Sequence, residues 1–411
     1  MSAVRLLDQS RPVIMCFVAH YLPGFRSGGP VRTIANLVEH LGDEFDIRIV
    51  TRDRDALDFS SYPDVTVDCW NTVGNAQVFY ASPKMLNWRS ISKILNETPH
   101  EILYLNSFFA WSFTGVPLLV RRLGLAPKVP CVIAPRGEFS QGAITLKATK
   151  KRLYLSLAKL VGLYEHLTWQ ASSALEAQDI LREFGENYSE IVIAPNLPPK
   201  LSGALNQRTF RLARRDGPLR LVFLSRISPK KNLDFLLAAL KNLTICIDLN
   251  IFGPVRDLDY WTKCKELIGG LPHSVSVNYS GEVEPCHVVD KLRDHDLFIF
   301  PTRGENYGHV ILESLRAGTP VLLSDQTPWR ESGDGAIEVL PLDELSLWTE
   351  AIERWASLED LELAERRTAA TSYAEKYFLN TEIANQNRSL FLSVLMKENL
   401  TSSISPESDA V

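Results

Sequence analysis

The chain has 411 residues, more than one hydrophobic core ordinarily serves, so two domains are expected. It is 45% apolar and 23% charged with a net charge of −5, a globular composition lacking the basic field that nucleic-acid binding uses. Cys16, Cys69, Cys131, Cys246, Cys264 and Cys286 form no C-x-x-C pair and read as reduced residues of a cytosolic protein. Cys286-His287 offers half a metal site, without a second pair at ligand spacing. The start, MSAVRLLDQSRP, lacks a basic stretch followed by an apolar one. The longest apolar run, 108–120, is too short and too interrupted to span a bilayer. A cytoplasmic location is expected, with at most peripheral contact with the inner face of the membrane.

Short apolar runs at 13–19, 45–51, 76–81, 101–106, 130–134, 167–174 and 190–194 read as strands. Helical spacing separates the first two, with Val31, Ile34, Leu37, Val38 and Leu41 on one face. Near-continuous apolar strands alternating with helices predict a parallel sheet covered on both sides. The alternation pauses at 195–218, rich in Pro, Gly, Asn and Arg, and restarts with strand 219–225. Helix 232–241, strand 245–252, helix 256–268, strand 274–279, helix 286–293 and strand 297–301 follow, then a helix and a strand over 307–324, and helices near 344–357 and 374–397. The expected domains are 1–200, a linker at 201–218, 219–373, a helix at 374–398 packing back towards the first domain, and a disordered tail at 399–411. The fold class is α/β: two doubly wound, Rossmann-like domains facing each other across a cleft, with ligands beyond the C-terminal ends of the strands.

Three stretches carry candidate chemistry. In HYLPGFRSGGPVRT, Gly24, Gly28 and Gly29 lie between a strand ending near His20 and a helix opened by Pro30, where a phosphate can approach backbone N–H groups closely. Neither G-x-G-x-x-G after the first strand nor G-x-x-x-x-G-K-[ST] is present, which weakens dehydrogenase and P-loop readings. In LSRISPKKNLDF, Arg226 ends the first strand of the second domain and Lys231 follows at a helix entrance; a forked guanidinium and a mobile ammonium suit a diphosphate. In TRGENYGHVILESLRAGTPV, Glu305 falls in a turn and Glu313 in a helix that stops before Gly318. Gly308 sets a bare backbone N–H near that helix start, and the carboxylates suit sugar hydroxyls rather than phosphate. Taken alone, the two glutamates are equally readable as a helix-dipole acid and a solvated helix residue.

In combination these residues resemble the retaining glycosyltransferases of family 4 (glycosyl transferases group 1), which have the GT-B fold. The resemblance rests on Glu-x7-Glu at Glu305–Glu313 within P-x-x-x-E-N-Y-G-x-x-x-x-E-x-x-x-x-G-x-P-V, on Arg-x4-Lys at Arg226–Lys231, and on the Gly28–Gly29 loop. It implies transfer of a hexose from a nucleotide-diphosphate sugar to a glycan or lipid-linked acceptor in cell-surface polysaccharide or glycolipid biosynthesis. By that resemblance Arg226 and Lys231 bind the diphosphate, Glu305 holds the hexose near its 3-hydroxyl, and Glu313 binds the ribose. Gly29 and the segment Asn306, Tyr307, Gly308, His309 and Val310 approach the donor. It also implies no cofactor and no metal, matching the lack of a D-x-D motif near the proposed site.

Where many relatives carry a His contacting the donor sugar, this chain reads APRGEFS. Arg136 and Glu138 therefore either contact acceptor or sugar or pair with each other, and His20 either faces the site or is structural. Lys147, Lys150, Lys151, Arg152 and Lys159 stud an apolar stretch at 144–167, which suits either an anionic lipid surface or a solvated basic helix face. The alternatives are a nucleotide-sugar epimerase or sugar-phosphate synthase of the same fold, and a non-catalytic nucleotide-sugar-binding subunit.

Overall fold

The computed structural model describes residues 11–56, 58–144, 148–185, 190–200 and 217–403. Most of the expected linker (201–216) and the end of the expected tail (404–411) lie outside them. The chain forms two compact units, the first running to Ser140, resuming over Ile144–Lys200 and again from Thr381, and the second ending at Asn380.

The first unit holds strands β1 (Val13–Phe17), β2 (Asp46–Arg52), β3 (Trp70–Val73), β4 (Ala76–Ala81), β5 (Ile102–Asn106), β6 (Cys131–Ala134), β7 (Thr168–Ala171) and β8 (Glu190–Ile193). They form one sheet in the order β3-β4-β2-β1-β5-β6-β7-β8, parallel except for the β3–β4 pair. β3 was not expected. It is a partly exposed hairpin partner whose register, Val73 opposite Ala76, leaves Gly74-Asn75 as a two-residue turn with Gly74 at φ 57°. The core between β5, β6, β7 and their helices is aromatic: Phe108 stacks on Tyr164 with centroids 4.4 Å apart, and Trp169 lies 4.6 Å from Phe184.

The second unit holds β9 (Leu219–Leu224), β10 (Ile247–Phe252), β11 (Val275–Tyr279), β12 (Leu297–Phe300), β13 (Val321–Ser324) and β14 (Ile337–Leu340). All are parallel, in the order β11-β10-β9-β12-β13-β14. Leu221, Val222, Phe223, Phe298, Ile299 and Leu322 are fully buried, as strands covered on both faces require. In each sheet the order reverses direction beside its first strand, between β1 and β5 and between β9 and β12. These are the topological switch points where loops part and ligands bind.

The C-terminal region differs from the single helix expected over 374–398. Two helices, Asp360–Phe378 and Glu382–Ser403, are separated at Leu379–Thr381. Glu359 and Glu362 close a capping box on the first. Asn380 and Thr381 interrupt the run, as residues whose side chains compete for backbone hydrogen bonds do. The second extends five residues, to Ser403, into the segment read as tail. It belongs to the first unit: Asn387 donates to the Pro195 carbonyl at 2.7 Å, Arg388 forms a two-pronged pair with Glu44 at 2.6 Å, and Phe391 packs on Tyr104 and Phe45. Phe391 is fully buried, so Phe391→Ala should destabilise this unit by about 3–5 kcal/mol, measured by urea denaturation. A change below about 1 kcal/mol would mean that the helix is not part of the unit's core.

Candidate functional site

The site-bearing loops of the second unit leave the C-terminal ends of β9, β12 and β13. Beyond β9 the chain turns through Ser228 and a short 3-10 turn, Pro229–Lys231, into a helix, Leu233–Leu240. Asn232, at φ 62° and buried, makes the left-handed step between the two, a conformation that Asn tolerates better than most residues. Beyond β12 the turn 302–308 leads into the helix His309–Arg316, with Gly308 at φ 80° as its N-cap.

These loops are stitched to one another. Arg303 donates its backbone N–H to the Lys230 carbonyl (2.8 Å) and its Nε to Asn232 Oδ1 (2.9 Å), while Thr302 Oγ1 reaches the same Lys230 carbonyl. Glu305 donates its N–H to the Gln326 carbonyl (2.9 Å), Ser324 Oγ donates to the Thr302 carbonyl, and the Trp329 indole donates to the Tyr307 carbonyl. Asn232, Arg303 and Gln326 were not expected at the site. Asn232 alone carried a sequence signal, a turn-forming residue directly after the cations at a helix entrance.

Within this frame Lys231 and Glu305, 74 positions apart, form a buried ion pair, with the ammonium 4.8 Å from the Phe300 ring centroid. Burial lowers the pKa of Lys231 to about 8; Glu305 opposes the shift, and Lys230 and Arg226 reinforce it. Burial alone would raise Glu305, but the charges of Lys231, Lys230 and Arg226 outweigh it and bring the carboxyl down to about 2. Both groups are therefore charged at neutral pH. Arg226, just past β9, is exposed and makes no ion pair among the described residues, yet it is near enough to act on both partners electrostatically. The site thus combines a buried, neutralised pair with an open guanidinium at the switch-point edge.

Glu313 is partly buried on the helix His309–Arg316. Val310 lies in the first turn of that helix and Asn306 donates its N–H to Glu305 Oε1 at 3.2 Å. Tyr307 and His309 both have buried side chains, the Tyr307 ring packing against Trp329, Tyr377 and His309. Contact with a ligand from these two positions would come through the backbone.

The remaining candidates lie in the first unit, beyond β1, β5 and β6. Gly28 has φ 67° and Gly29 begins the helix Gly29–Leu41, with Pro30 second rather than first. The loop ahead of it is held by Asp55, which accepts from the N–H groups of Phe25 (2.8 Å) and Arg26 (3.0 Å). D-x-D triplets do exist at Asp53–Asp55, Asp257–Asp259 and Asp294–Asp296, but Asp53 pairs with Arg54, Asp55 serves this loop, Asp257 accepts from the Tyr260 N–H at 2.9 Å, and Asp296 pairs with Arg220. His20 is partly buried just past β1.

Arg136 and Glu138 do not pair with each other. Arg136, at φ 58°, donates to Asn106 Oδ1 (3.0 and 2.7 Å), to Asn196 Oδ1 and to the Tyr104 hydroxyl. The Glu138 carboxylate accepts from Ser107 Oγ (2.6 Å) and from the N–H groups of Phe108 (2.6 Å) and Phe109 (2.9 Å), and burial raises its pKa. Both are thus committed to tying β5 and β6 ends together. Cys286 and His287 gain a third neighbour, Glu284, with ligand atoms within 4.8 Å of one another, in one fully exposed turn. Exposed groups of this kind are common without an ion, and they lie apart from the strand-end loops in sequence.

Residues 206–340 match the family model for glycosyl transferases group 1. The alpha-monoglucosyldiacylglycerol synthase of Streptococcus pneumoniae is 31% identical over 118 residues, 29% of this chain and 27% of that protein. The phosphatidyl-myo-inositol mannosyltransferase of Mycobacterium leprae is 28% identical over 173 residues, 40% of this chain and 44% of that protein. The matches thus span less than half the length of either relative. Among solved structures, a sucrose-phosphate synthase from Thermosynechococcus elongatus aligns with a TM-score of 0.68 at 16% identity, covering 94% of this chain and all of that one. The Anabaena protein HepE in complex with UDP and glucose aligns at 0.65 and 14% identity, covering 93% of this chain and 100% of that one.

Two outcomes check the geometry. The Glu305 carboxyl is depressed from 4.5 to about 2, so its stabilisation is complete above pH 4.5 and is lost as pH falls through 2. Glu305→Gln should remove that part of the acid sensitivity of the melting temperature and lower stability at neutral pH, where Lys231 loses its counter-ion; an unchanged acid slope would contradict the pairing. At Gly308, φ is 80° and a Cβ would lie 2.6 Å from Ile311 Cδ1 and 3.1 Å from Glu305 Cγ. Gly308→Ala should therefore cost about 1–3 kcal/mol in chemical denaturation.

The two parallel-sheet units and the similarity to these solved structures give the chain the GT-B fold, and residues 206–340 within it match the model for glycosyl transferases group 1.

Proposed function

We propose that the protein transfers a hexose from a nucleotide-diphosphate sugar to a glycan or lipid-linked acceptor with retention of anomeric configuration, in cell-surface polysaccharide or glycolipid synthesis. The observation that carries this reading is the Lys231–Glu305 pair at the β9–β12 switch point with Arg226, which makes no ion pair among the described residues, beside it. A diphosphate needs concentrated positive charge, and Arg226 offers a planar fork not committed elsewhere in the site. Lys231 is anchored by Glu305 at the same edge, and the N-terminus of the helix His309–Arg316 adds partial positive charge.

In the proposed reaction the bond from the anomeric carbon to the β-phosphate oxygen breaks, its electron pair staying on that oxygen. The acceptor hydroxyl oxygen forms the new bond to the anomeric carbon on the same face, and its proton passes to the departing phosphate. Arg226 and Lys231 stabilise the charge that grows on the phosphate. Glu305 holds a hexose hydroxyl and Glu313 the ribose diol, both as acceptors. No metal is invoked. The mixture of a UDP-glucose-binding neighbour in fold and relatives named for glycolipid synthesis supports the substrate classes without selecting a sugar. Among the described residues no helix is long and apolar enough to cross a membrane.

A thermal-shift screen with UDP-, GDP- and ADP-sugars should find stabilisation by at least one, followed by slow donor hydrolysis; stabilisation by none would sink the proposal. Arg226→Ala and Lys231→Ala should each lower turnover by roughly 100-fold or more with the fold retained. Full activity in both would remove the diphosphate role.

A further inference from the structure

The helix Ala148–Leu160 of the first unit is apolar on two sides. Leu155 and Ala158 are buried against the aromatic core. On the outer side Leu153, Leu157, Leu160 and the following Val161 are 62%, 54%, 82% and 54% exposed. Their spacing of four, three and one residues sets them along one stripe. The helix Trp88–Glu97 shows the ordinary pattern for comparison: it buries Ile91, Ile94 and Leu95 and exposes Arg89, Lys93, Asn96 and Glu97. Helices apolar all round are normally covered on all sides, so the stripe calls for an occupant.

The charge around it says which. The helix carries Lys150, Lys151, Arg152 and Lys159 and no acid. No Asp or Glu occurs anywhere between Glu138 and Glu165, in a chain whose net charge is −5. Lys150 and Arg152 are exposed at the N-terminal end of the stripe. Trp111, half exposed, sits beside the helix with its ring 6.2 Å from that of Tyr154. Leucines flanked by cations, with a tryptophan at the margin, match the face that an interfacial helix presents to acyl chains and anionic headgroups.

We propose that this face, Leu153, Leu157, Leu160 and Val161 with Lys150, Arg152 and Trp111, docks the protein on an anionic lipid bilayer. The leucines enter the headgroup–acyl boundary and the cations meet the lipid phosphates. A second copy of the chain would instead need acidic groups opposite these cations, and the stripe brings none of its own.

The test is co-sedimentation of the full chain with vesicles of phosphatidylcholine alone and of phosphatidylcholine with phosphatidylglycerol, at low and at physiological salt. Binding is expected only to the anionic vesicles and should weaken with salt. Lys150→Glu/Arg152→Glu and Leu153→Ser/Leu157→Ser/Leu160→Ser should each lower it roughly tenfold or more, with circular dichroism and melting temperature unchanged, since the substituted side chains are exposed. No binding to anionic vesicles, or equal binding by both variants, overturns the proposal. A wild-type dimer broken by the leucine variant, without lipid binding, overturns it in favour of self-association. The assay needs no sugar donor, so its outcome is separable from the transfer reaction.

Discussion

The strand-end loops of the second unit are organised around one largely buried ion pair, Lys231–Glu305. Removing Lys231 and Glu305 from water costs several kcal/mol per ion, and the protein tolerates this because the surrounding loops hold the partners at contact. Lys230, Asn232, Thr302, Arg303 and Gln326 contribute the stitches, mostly through backbone groups. Lys231 comes from the loop after β9 and Glu305 from the loop after β12, strands that are neighbours at the reversal of the sheet order. The pair therefore fixes the geometry of the edge where α/β sheets receive ligands. Because its two charges offset each other, Arg226, exposed and without an ion pair among the described residues, is an open charge beside it.

The first unit solves the corresponding problem with different chemistry. Arg136 distributes its donors among Asn106, Asn196 and Tyr104, while the carboxylate of Glu138 gathers three donors from Ser107, Phe108 and Phe109. Glu176 does the same for Gly137 and Ser172. Ser107 and Arg136 both have positive φ, strain that persists where the surroundings over-determine the backbone. Three polar side chains thus pin the turns after β5, β6 and β7. A loop that must present backbone groups to a ligand benefits from such prior ordering, because less freedom is lost on binding.

Much of this was legible in the chain itself. The parallel-sheet strands were visible as apolar runs because burial on both faces leaves no polar alternation to disguise them. The strand that escaped, β3, is a half-exposed antiparallel edge whose signal lay in its Gly74-Asn75 turn rather than in its residues. The broken C-terminal helix escaped because periodicity runs through 379–381, and the interruption depends on local side-chain competition and on the second segment joining the other unit. Tyr307 lies within the Glu305–Gly308 turn, yet Trp329 and Tyr377, distant in sequence, hold its ring inward.

The sequence by itself determined which chemical groups follow which strands: a guanidinium and an ammonium after β9, a carboxylate and a glycine N-cap after β12, a glycine pair after β1. These are local properties, set by residue type and by the alternation of strand and turn. Which groups meet was decided only by the tertiary structure. Lys231 and Glu305 touch because the strand order β10-β9-β12-β13 sets β12 beside β9 across 74 positions of chain, and no local spacing encodes that adjacency. The same holds for Arg136 and Glu138, two residues apart in sequence yet held by different partners, because successive residues of a turn leave it in different directions and each takes the hydrogen-bonding groups that the neighbouring strand ends supply.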